Sequence, residues 1–148
     1  MTVGRSIETA ADLQALLAGI HHVAVLGIKP EGQSGKPAFY VPQALQALGL
    51  QISPVPVYDF GVTEILGQPI HRRLQDIPGP IDLVDVFRRS EDLPPHLPDI
   101  LAVHPRAVWL QQGIRNDDFA AQLLSAGIDV VQDRCLMVDY RRFHQTQG

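Results

Sequence analysis

Short apolar runs alternate with amphipathic stretches along the whole chain. The run 23–26 (VAVL) ends abruptly at Gly27, which is typical of a strand buried on both faces of a parallel sheet. Further runs of this kind occupy 51–57, 81–87, 107–110 and 128–131. Because helical stretches of about 10–15 residues separate the runs, the pattern predicts an α/β fold with a doubly wound parallel sheet of five to six strands.

The intervening stretches repeat apolar residues at intervals of three and four, which predicts amphipathic helices. Within residues 1–20 this spacing predicts a first helix that begins after Thr9 and buries Leu13, Leu16, Leu17 and Ile20. Asn116 is expected to cap a later helix, and Pro42 to lie in the first turn of the helix after the first loop. The last helix is expected to end near Gln145, which leaves 145–148 as a frayed tail.

Two prolines predict an edge position for the run 51–57. Pro54 and Pro56 lack amide hydrogens on the same side of the strand, so that side cannot pair with a long neighbour. Residues 67–71 (GQPIH) are the candidate for a short edge strand there, and a brief helix is expected at 73–77.

The composition fits one domain that spans 1–148. Of the 148 residues 45% are hydrophobic and 19% charged, and no apolar run reaches the ~18 residues that a membrane-spanning helix needs. Twelve basic residues against 16 acidic ones give a formal charge of -4, so we expect no nucleic-acid partner. The single cysteine, Cys135, and the absence of a signal-peptide pattern favour the cytoplasm.

The loop after the first strand carries the chemistry of a phosphate site. Gly27, Gly32 and Gly35 let backbone amides approach an anion, and the only two lysines, Lys29 and Lys36, lie in the same stretch. In a doubly wound sheet this loop borders the ligand crevice. A ligand with phosphate groups is therefore predicted, although the spacing matches neither the dinucleotide fingerprint nor a P-loop. The alternative is a solvated loop whose lysines bind nothing.

Other candidate groups are isolated in the sequence. Asp59 is the one acidic residue placed to bind the ribose of a nicotinamide cofactor, and a loop role suits it equally well. Asp82 and Asp85 have no neighbouring His or Ser, so we interpret them as structural. Trp109 is expected to pack in the core, and Cys135 to be a packed rather than a catalytic thiol. The six histidines lack metal-ligand spacing, so no metal site is predicted.

Four stretches together resemble one protein family. They are 25–27 (VLG) with the lysine-containing loop, 85–88 (DVFR), 109–114 (WLQQGI) and 133–136 (DRCL). From about His21 to Phe143 the chain thereby resembles the small stand-alone CoA-binding proteins related to the N-terminal domain of the succinyl-CoA synthetase alpha subunit. The resemblance implies a single Rossmann-like domain that binds coenzyme A across the strand ends.

The resemblance also implies which residues bind coenzyme A, in three groups. Its phosphates would lie against the loop at Gly27, Ile28, Lys29, Pro30 and Ser34, with Lys36 and Tyr40 beside it. Val55 would border the nucleotide. The pantetheine arm would pass Phe87, Arg88, Gln111, Gly113 and Ile114. No catalytic residue is implied.

Three functional hypotheses follow from the sequence. The first is a module that binds coenzyme A or an acyl-CoA without catalysis of its own, and the missing P-loop and phosphohistidine domain favour it over an acyl-CoA ligase. The second is a nicotinamide- or nucleotide-dependent enzyme that uses the same crevice, with Asp59 as its only acidic support. The third is a redox protein in which Cys135 exchanges with the thiol of a ligand.

Overall fold

The computed structural model describes residues 2–147, in which seven strands form two sheets. The strands are β1 (His22–Leu26), β2 (Gln51–Val55), β3 (Glu64–Ile65), β4 (Gln68–Pro69), β5 (Leu83–Val86), β6 (Ala107–Leu110) and β7 (Asp129–Val131). Five of them form a parallel sheet in the order β2-β1-β5-β6-β7. The direction of strand addition reverses between β1 and β5, so the predicted doubly wound, Rossmann-like α/β fold is confirmed.

Helices cover both faces of the parallel sheet. They are α1 (Ala10–Ala18), α2 (Pro37–Ala47), α3 (Leu97–Val103), α4 (Asp117–Ser125) and α5 (Leu136–Gln147). Apolar residues of α1, α2 and α5 pack in one core, and those of α3 and α4 pack in a second core on the opposite face. Thr9 and Asn116 cap α1 and α4 as predicted, since their side chains accept amides of the first helical turn.

The free edge of β2 differs from the sequence prediction. Residues 67–71 do not add a sixth strand to the parallel sheet, because β4 pairs with β3 in a separate antiparallel hairpin. The His71 amide donates to the Pro54 carbonyl (2.9 Å), which links this hairpin to β2. Since Pro54 and Pro56 offer no amide on that side, they allow no longer ladder.

Helix α2 begins earlier than predicted, and the prediction that Pro42 lies in its first turn is wrong. Pro37 takes the first position, where a missing amide costs nothing, and Pro42 lies in the helix interior. Pro42 lacks the amide that would bond to the Ala38 carbonyl one turn earlier. The Lys29 amide donates to that carbonyl instead (3.1 Å). The loop after β1 is thereby joined to α2.

The N-terminal segment covers the free edge of β7. The Ile7 amide donates to the Val130 carbonyl (2.8 Å), and the Val130 amide donates to the Arg5 carbonyl (3.0 Å). An exposed strand edge invites pairing with another chain, so this segment protects the sheet.

Two further helix predictions need correction. The helix expected at 73–77 is a single 3-10 turn, Leu74–Asp76. Helix α5 continues to Gln147, past the expected end near Gln145, and Gly148 lies outside the described residues. Within residues 2–147 no helix combines the length and the apolar character that crossing a membrane requires.

Candidate functional site

Gly27 marks the point at which β1 ends and the first loop begins. Its φ of +90° lies in the left-handed region, which side chains disfavour. A Cβ atom at this position would lie 2.3 Å from the carbonyl oxygen of Phe87, at the end of β5. The Gly27 amide also donates to the Val55 carbonyl (2.9 Å). Glycine therefore allows the carboxyl ends of three strands to meet at the crevice.

Arg88 follows β5 and is held by a histidine. Its Nε donates to Nε2 of His96 (3.2 Å). Burial, and then the nearby Arg88 charge, lower the pKa of His96, so the ring is neutral at pH 7 and can accept this bond. A neutral acceptor positions the guanidinium without compensating its charge. The positive charge of Arg88 at the crevice is therefore not neutralised by His96.

The loops after β6 and β7 are joined by hydrogen bonds. The Asp133 carboxylate accepts the Gly113 amide (2.7 Å), and the Trp109 indole donates to the Arg134 carbonyl (2.7 Å). Trp109 is completely buried, which confirms its predicted packing role. The stretches 109–114 and 133–136 of the sequence resemblance therefore form one structural unit.

Gln111 connects this unit to α5. Its side chain is buried, and its Oε1 accepts the amide of Leu136 (3.1 Å), which is one of the helix-start amides without a helical partner. One turn further, Asp139 accepts two hydrogen bonds from Arg134 (2.7 and 2.8 Å). These bonds fix the start of α5 against the crevice.

A cavity of about 640 Å³, called here the main cavity, opens between these elements. Its walls come from the loop after β1, the start of α2 and the segments that follow β5, β6 and β7. It is lined by most of the site residues predicted from the sequence: Lys29, Lys36, Tyr40, Phe87, Arg88, Gln111, Gly113 and Ile114. Its volume lies in the range of small-molecule sites.

A second cavity, called here the side cavity, has a volume of about 210 Å³. Its lining includes Gly27 together with the aromatic residues Tyr58 and Phe60. Lys29 and Arg88 line both cavities, so the two spaces meet at these cations.

The remaining predicted residues lie outside both cavities. Ile28 is 1% exposed and belongs to the core beneath the loop, and Pro30 is also buried. Ser34 is exposed on the loop, and Val55 borders a third cavity beside Arg73. In this structure the backbone at Ile28 and Pro30 shapes the loop, whereas their side chains do not reach the crevice.

Within the described residues, three of the four cations that line the main cavity have no carboxylate partner, whereas the fourth, Arg89, pairs with Asp92. Seven arginines pair with Asp or Glu: Arg5, Arg72, Arg73, Arg89, Arg115, Arg134 and Arg142. Within residues 2–147, the lysines and arginines outside such pairs are Lys29, Lys36, Arg88, Arg106 and Arg141. Three of these five line the main cavity. In a chain of formal charge -4, this local excess of positive charge favours an anionic ligand.

The two aspartates near β5 have different environments. Asp82 accepts the amides of His21 and His22 (2.8 Å each), which confirms its structural role. Asp85 is completely buried within β5, and neither of its carboxyl oxygens has a hydrogen-bond partner among the described residues. Burial raises the pKa of Asp85 well above its ordinary value, so the folded protein favours the protonated carboxyl.

The sequence analysis missed Tyr58, Phe60 and His96, which reach the site through long connections. A lone histidine and aromatic residues in a loop carry no recognisable spacing, so only the fold brings them to the crevice. Asp59 in the same loop accepts the Gly61 amide (2.9 Å), and its side chain is 84% exposed. This geometry supports a loop role for Asp59.

Cys135 lies between the core and the main cavity. It packs against apolar core residues, yet it is partly exposed and lines the cavity. The prediction of a packed thiol therefore describes only one side of this residue. Its exchange with a ligand thiol stays a hypothesis.

Comparison with known families identifies the class of protein. The family model described as "CoA binding domain" matches residues 21–141. The chain belongs to this CoA-binding family. The family assignment made from the four sequence stretches is thereby confirmed.

Relatives of this protein match it over most of its length. The uncharacterized protein YneT of Bacillus subtilis (strain 168) is 34% identical over 129 residues, which cover 86% of this chain and 91% of YneT. The structure of cell-free ID.343 from Thermus thermophilus has 40% identity and a TM-score of 0.85, with 92% of this chain and 99% of that chain covered.

A larger enzyme shares the fold of this domain. It is the dinucleotide-forming acetyl-coenzyme A synthetase 1 of Ca. Korarchaeum cryptofilum, in its apo form, with 14% identity and a TM-score of 0.62. The match covers 74% of this chain but 25% of the synthetase chain. At this identity the likeness concerns the fold alone.

Proposed function

We propose that the protein binds coenzyme A, free or acylated, across the carboxyl ends of β1, β5 and β6, as a binding module without catalysis of its own. The observation that carries the proposal is the group of unpaired cations Lys29, Lys36 and Arg88 around the main cavity of a CoA-binding domain. Coenzyme A has a pyrophosphate and a 3′-phosphate, and such groups are bound by cations and backbone amides.

The residues present fit the two chemical halves of coenzyme A. In the proposed arrangement the phosphates lie near Lys29 and Arg88, with Lys36 at the start of α2. The pantetheine arm then runs past Phe87 and along the loop 111–114 towards Cys135, where the cavity combines apolar walls with polar backbone. The cytoplasmic location stays a prediction from the single cysteine.

Binding of coenzyme A is expected to stabilise the fold measurably. Ligand at ~100 times its dissociation constant contributes about 2.7 kcal/mol to the free energy of unfolding. For a domain of this size, that corresponds to a rise in Tm of roughly 5–10 °C. Thermal denaturation with coenzyme A, dephospho-CoA, pantetheine and NAD measures it, and we expect the three analogues to give smaller shifts.

Substitution of the two lysines tests their contribution, with Arg141→Ala as the matched control. Lys29→Ala and Lys36→Ala, singly and together, are expected to reduce the shift while leaving the Tm of the free protein near that of the wild type. Arg141→Ala removes an equal charge from an exposed position on α5 outside both cavities and is expected to leave the shift unchanged. The absence of a shift at millimolar coenzyme A, or a larger shift with NAD, would overturn the proposal.

The rate at which Cys135 is alkylated reports whether the pantetheine arm of the ligand fills the main cavity. If the pantetheine arm fills the cavity, acetyl-CoA, whose sulfur is acylated and does not consume the reagent, should slow alkylation of Cys135 by iodoacetamide about 100-fold at ~100 times its dissociation constant, because about 1% of the protein then remains free. Mass spectrometry of the alkylated chain follows the rate. In urea, where the fold is lost, the ligand should have no effect. An unchanged rate in the folded, ligand-saturated protein would show that the arm does not reach Cys135.

A further inference from the structure

The side cavity differs from the main cavity in its aromatic lining. Tyr58 is 59% exposed, which is unusual for so large a ring, and Phe60 lies beside it. The ring centroids are 6.2 Å apart with an interplanar angle of 82°, an edge-to-face arrangement. The Cζ of Arg88 lies 5.8 Å from the centroid of the Tyr58 ring. The Tyr58 ring is thus exposed, and the Arg88 guanidinium, which has no carboxylate partner among the described residues, lies over one face of it.

The loop that carries these rings is held in place. Nη1 of Arg72 donates to the Tyr58 carbonyl (3.2 Å), and another nitrogen of the same guanidinium lies 3.7 Å from the Asp59 carboxylate. The Asp59 carboxylate also accepts the Gly61 amide. These contacts hold the backbone from Tyr58 to Gly61, which lowers the conformational entropy that the loop loses on binding.

The order of groups in coenzyme A matches the order of the two cavities. In this ligand the pyrophosphate lies between the adenosine and the pantetheine arm. In the protein, Lys29 and Arg88 lie between the side cavity and the main cavity. If the phosphates occupy these cations and the arm occupies the main cavity, the base is directed to the side cavity.

We infer that Tyr58 is the stacking platform for the adenine base of coenzyme A, with Phe60 set edge-on behind it. This inference rests on the proposed function and adds an orientation and a base-binding residue to it. Stacking of a base on an aromatic side chain changes affinity by roughly 5- to 150-fold when the side chain is removed. Because the ring face carries the interaction, the tyrosine hydroxyl is dispensable.

The test compares Tyr58 variants with ligands that contain or lack the adenosine part. Calorimetry measures the dissociation constants of coenzyme A, of 4′-phosphopantetheine, and of adenosine 3′,5′-bisphosphate. Tyr58→Ala is expected to weaken the two adenine-containing ligands roughly 5- to 150-fold and to leave 4′-phosphopantetheine unchanged. Tyr58→Phe keeps the ring and is expected to bind all three ligands as the wild type does.

Ile114 supplies the crossed control, since it lies on the path expected for the pantetheine arm and lines the main cavity but not the side cavity. Ile114→Ala is expected to weaken coenzyme A and 4′-phosphopantetheine by the same factor and to spare adenosine 3′,5′-bisphosphate. An equal loss of coenzyme A and 4′-phosphopantetheine on Tyr58→Ala, or no loss at all, overturns the inference while the proposed function stands. Failure of the wild type to bind coenzyme A is the separate result that overturns the proposed function.

Discussion

Gly27→Ala is expected to destabilise the protein by about 2–5 kcal/mol, a large part of the stability of a typical domain. Two costs add at this position. The φ of +90° is unfavourable for any residue with a side chain, and the new methyl group would lie 2.3 Å from the Phe87 carbonyl oxygen. Since that oxygen belongs to the backbone at the end of β5, relief requires the strands to move apart. Urea denaturation followed by circular dichroism measures the loss.

Two other glycines separate these costs. Gly79 has a φ of +80° with no atom within 4 Å of a Cβ position, so Gly79→Ala carries the conformational cost alone. Gly32 has neither a positive φ nor a close neighbour, and Gly32→Ala is expected to be nearly neutral. If Gly27→Ala and Gly79→Ala lose the same stability, the close approach between Gly27 and β5 makes no contribution.

Asp85→Asn is expected to make the protein more stable than the wild type at neutral and alkaline pH. In the wild type, burial raises the pKa of Asp85 in the folded state, whereas the unfolded chain ionises near the ordinary value of about 4. Above that pH the unfolded state releases a proton that the folded state keeps. The free energy of unfolding therefore falls as the pH rises towards the raised pKa, by up to about 1.4 kcal/mol for each pH unit.

Asparagine has nearly the same shape as aspartic acid but no proton to lose. In the variant, position 85 therefore does not lower the free energy of unfolding as the pH rises. Below pH 4 both proteins bury a neutral group, and their stabilities should be similar. The gap in favour of Asp85→Asn should then widen with pH until it reaches a plateau above the folded-state pKa. Urea titrations at a series of pH values give the two curves. Parallel curves would mean that Asp85 is ionised in the folded protein and that a compensating partner exists.

Much of the fold was predictable because the strands are short, continuous apolar runs. Runs such as 107–110 are buried on both faces, so their burial is visible in the sequence alone. The hairpin β3-β4 was not predictable. Residues 67–71 could pair with β2 or with β3, and the effect of Pro54 and Pro56 on this pairing becomes visible only in the folded chain. Pro42 misled the helix prediction because a proline in a helix interior is tolerated only where the freed carbonyl finds another donor.

The candidate site was predictable where sequence neighbours act together. Phe87 and Arg88 follow β5 directly, and Gln111 and Gly113 follow β6, so the rule that ligands bind at the carboxyl ends of parallel strands locates them. Tyr58 lies three residues beyond the end of β2, in a loop whose path no periodicity predicts. The cations are a similar case: the sequence locates the lysines, but only the ion pairs of the folded chain show that Arg88 is among the arginines without a carboxylate partner.

The bond between Lys29 and the Ala38 carbonyl bears on the rate of ligand capture. Because Pro42 frees this acceptor, a hydrogen bond of the protein itself holds the loop after β1 against α2. A loop that is fixed by the protein's own bonds needs no slow closing step. Association is then governed by diffusion and by the attraction of the exposed cations for a polyanion, so the encounter rate should fall as salt rises, and differences in affinity between ligands should reside mainly in their rates of departure.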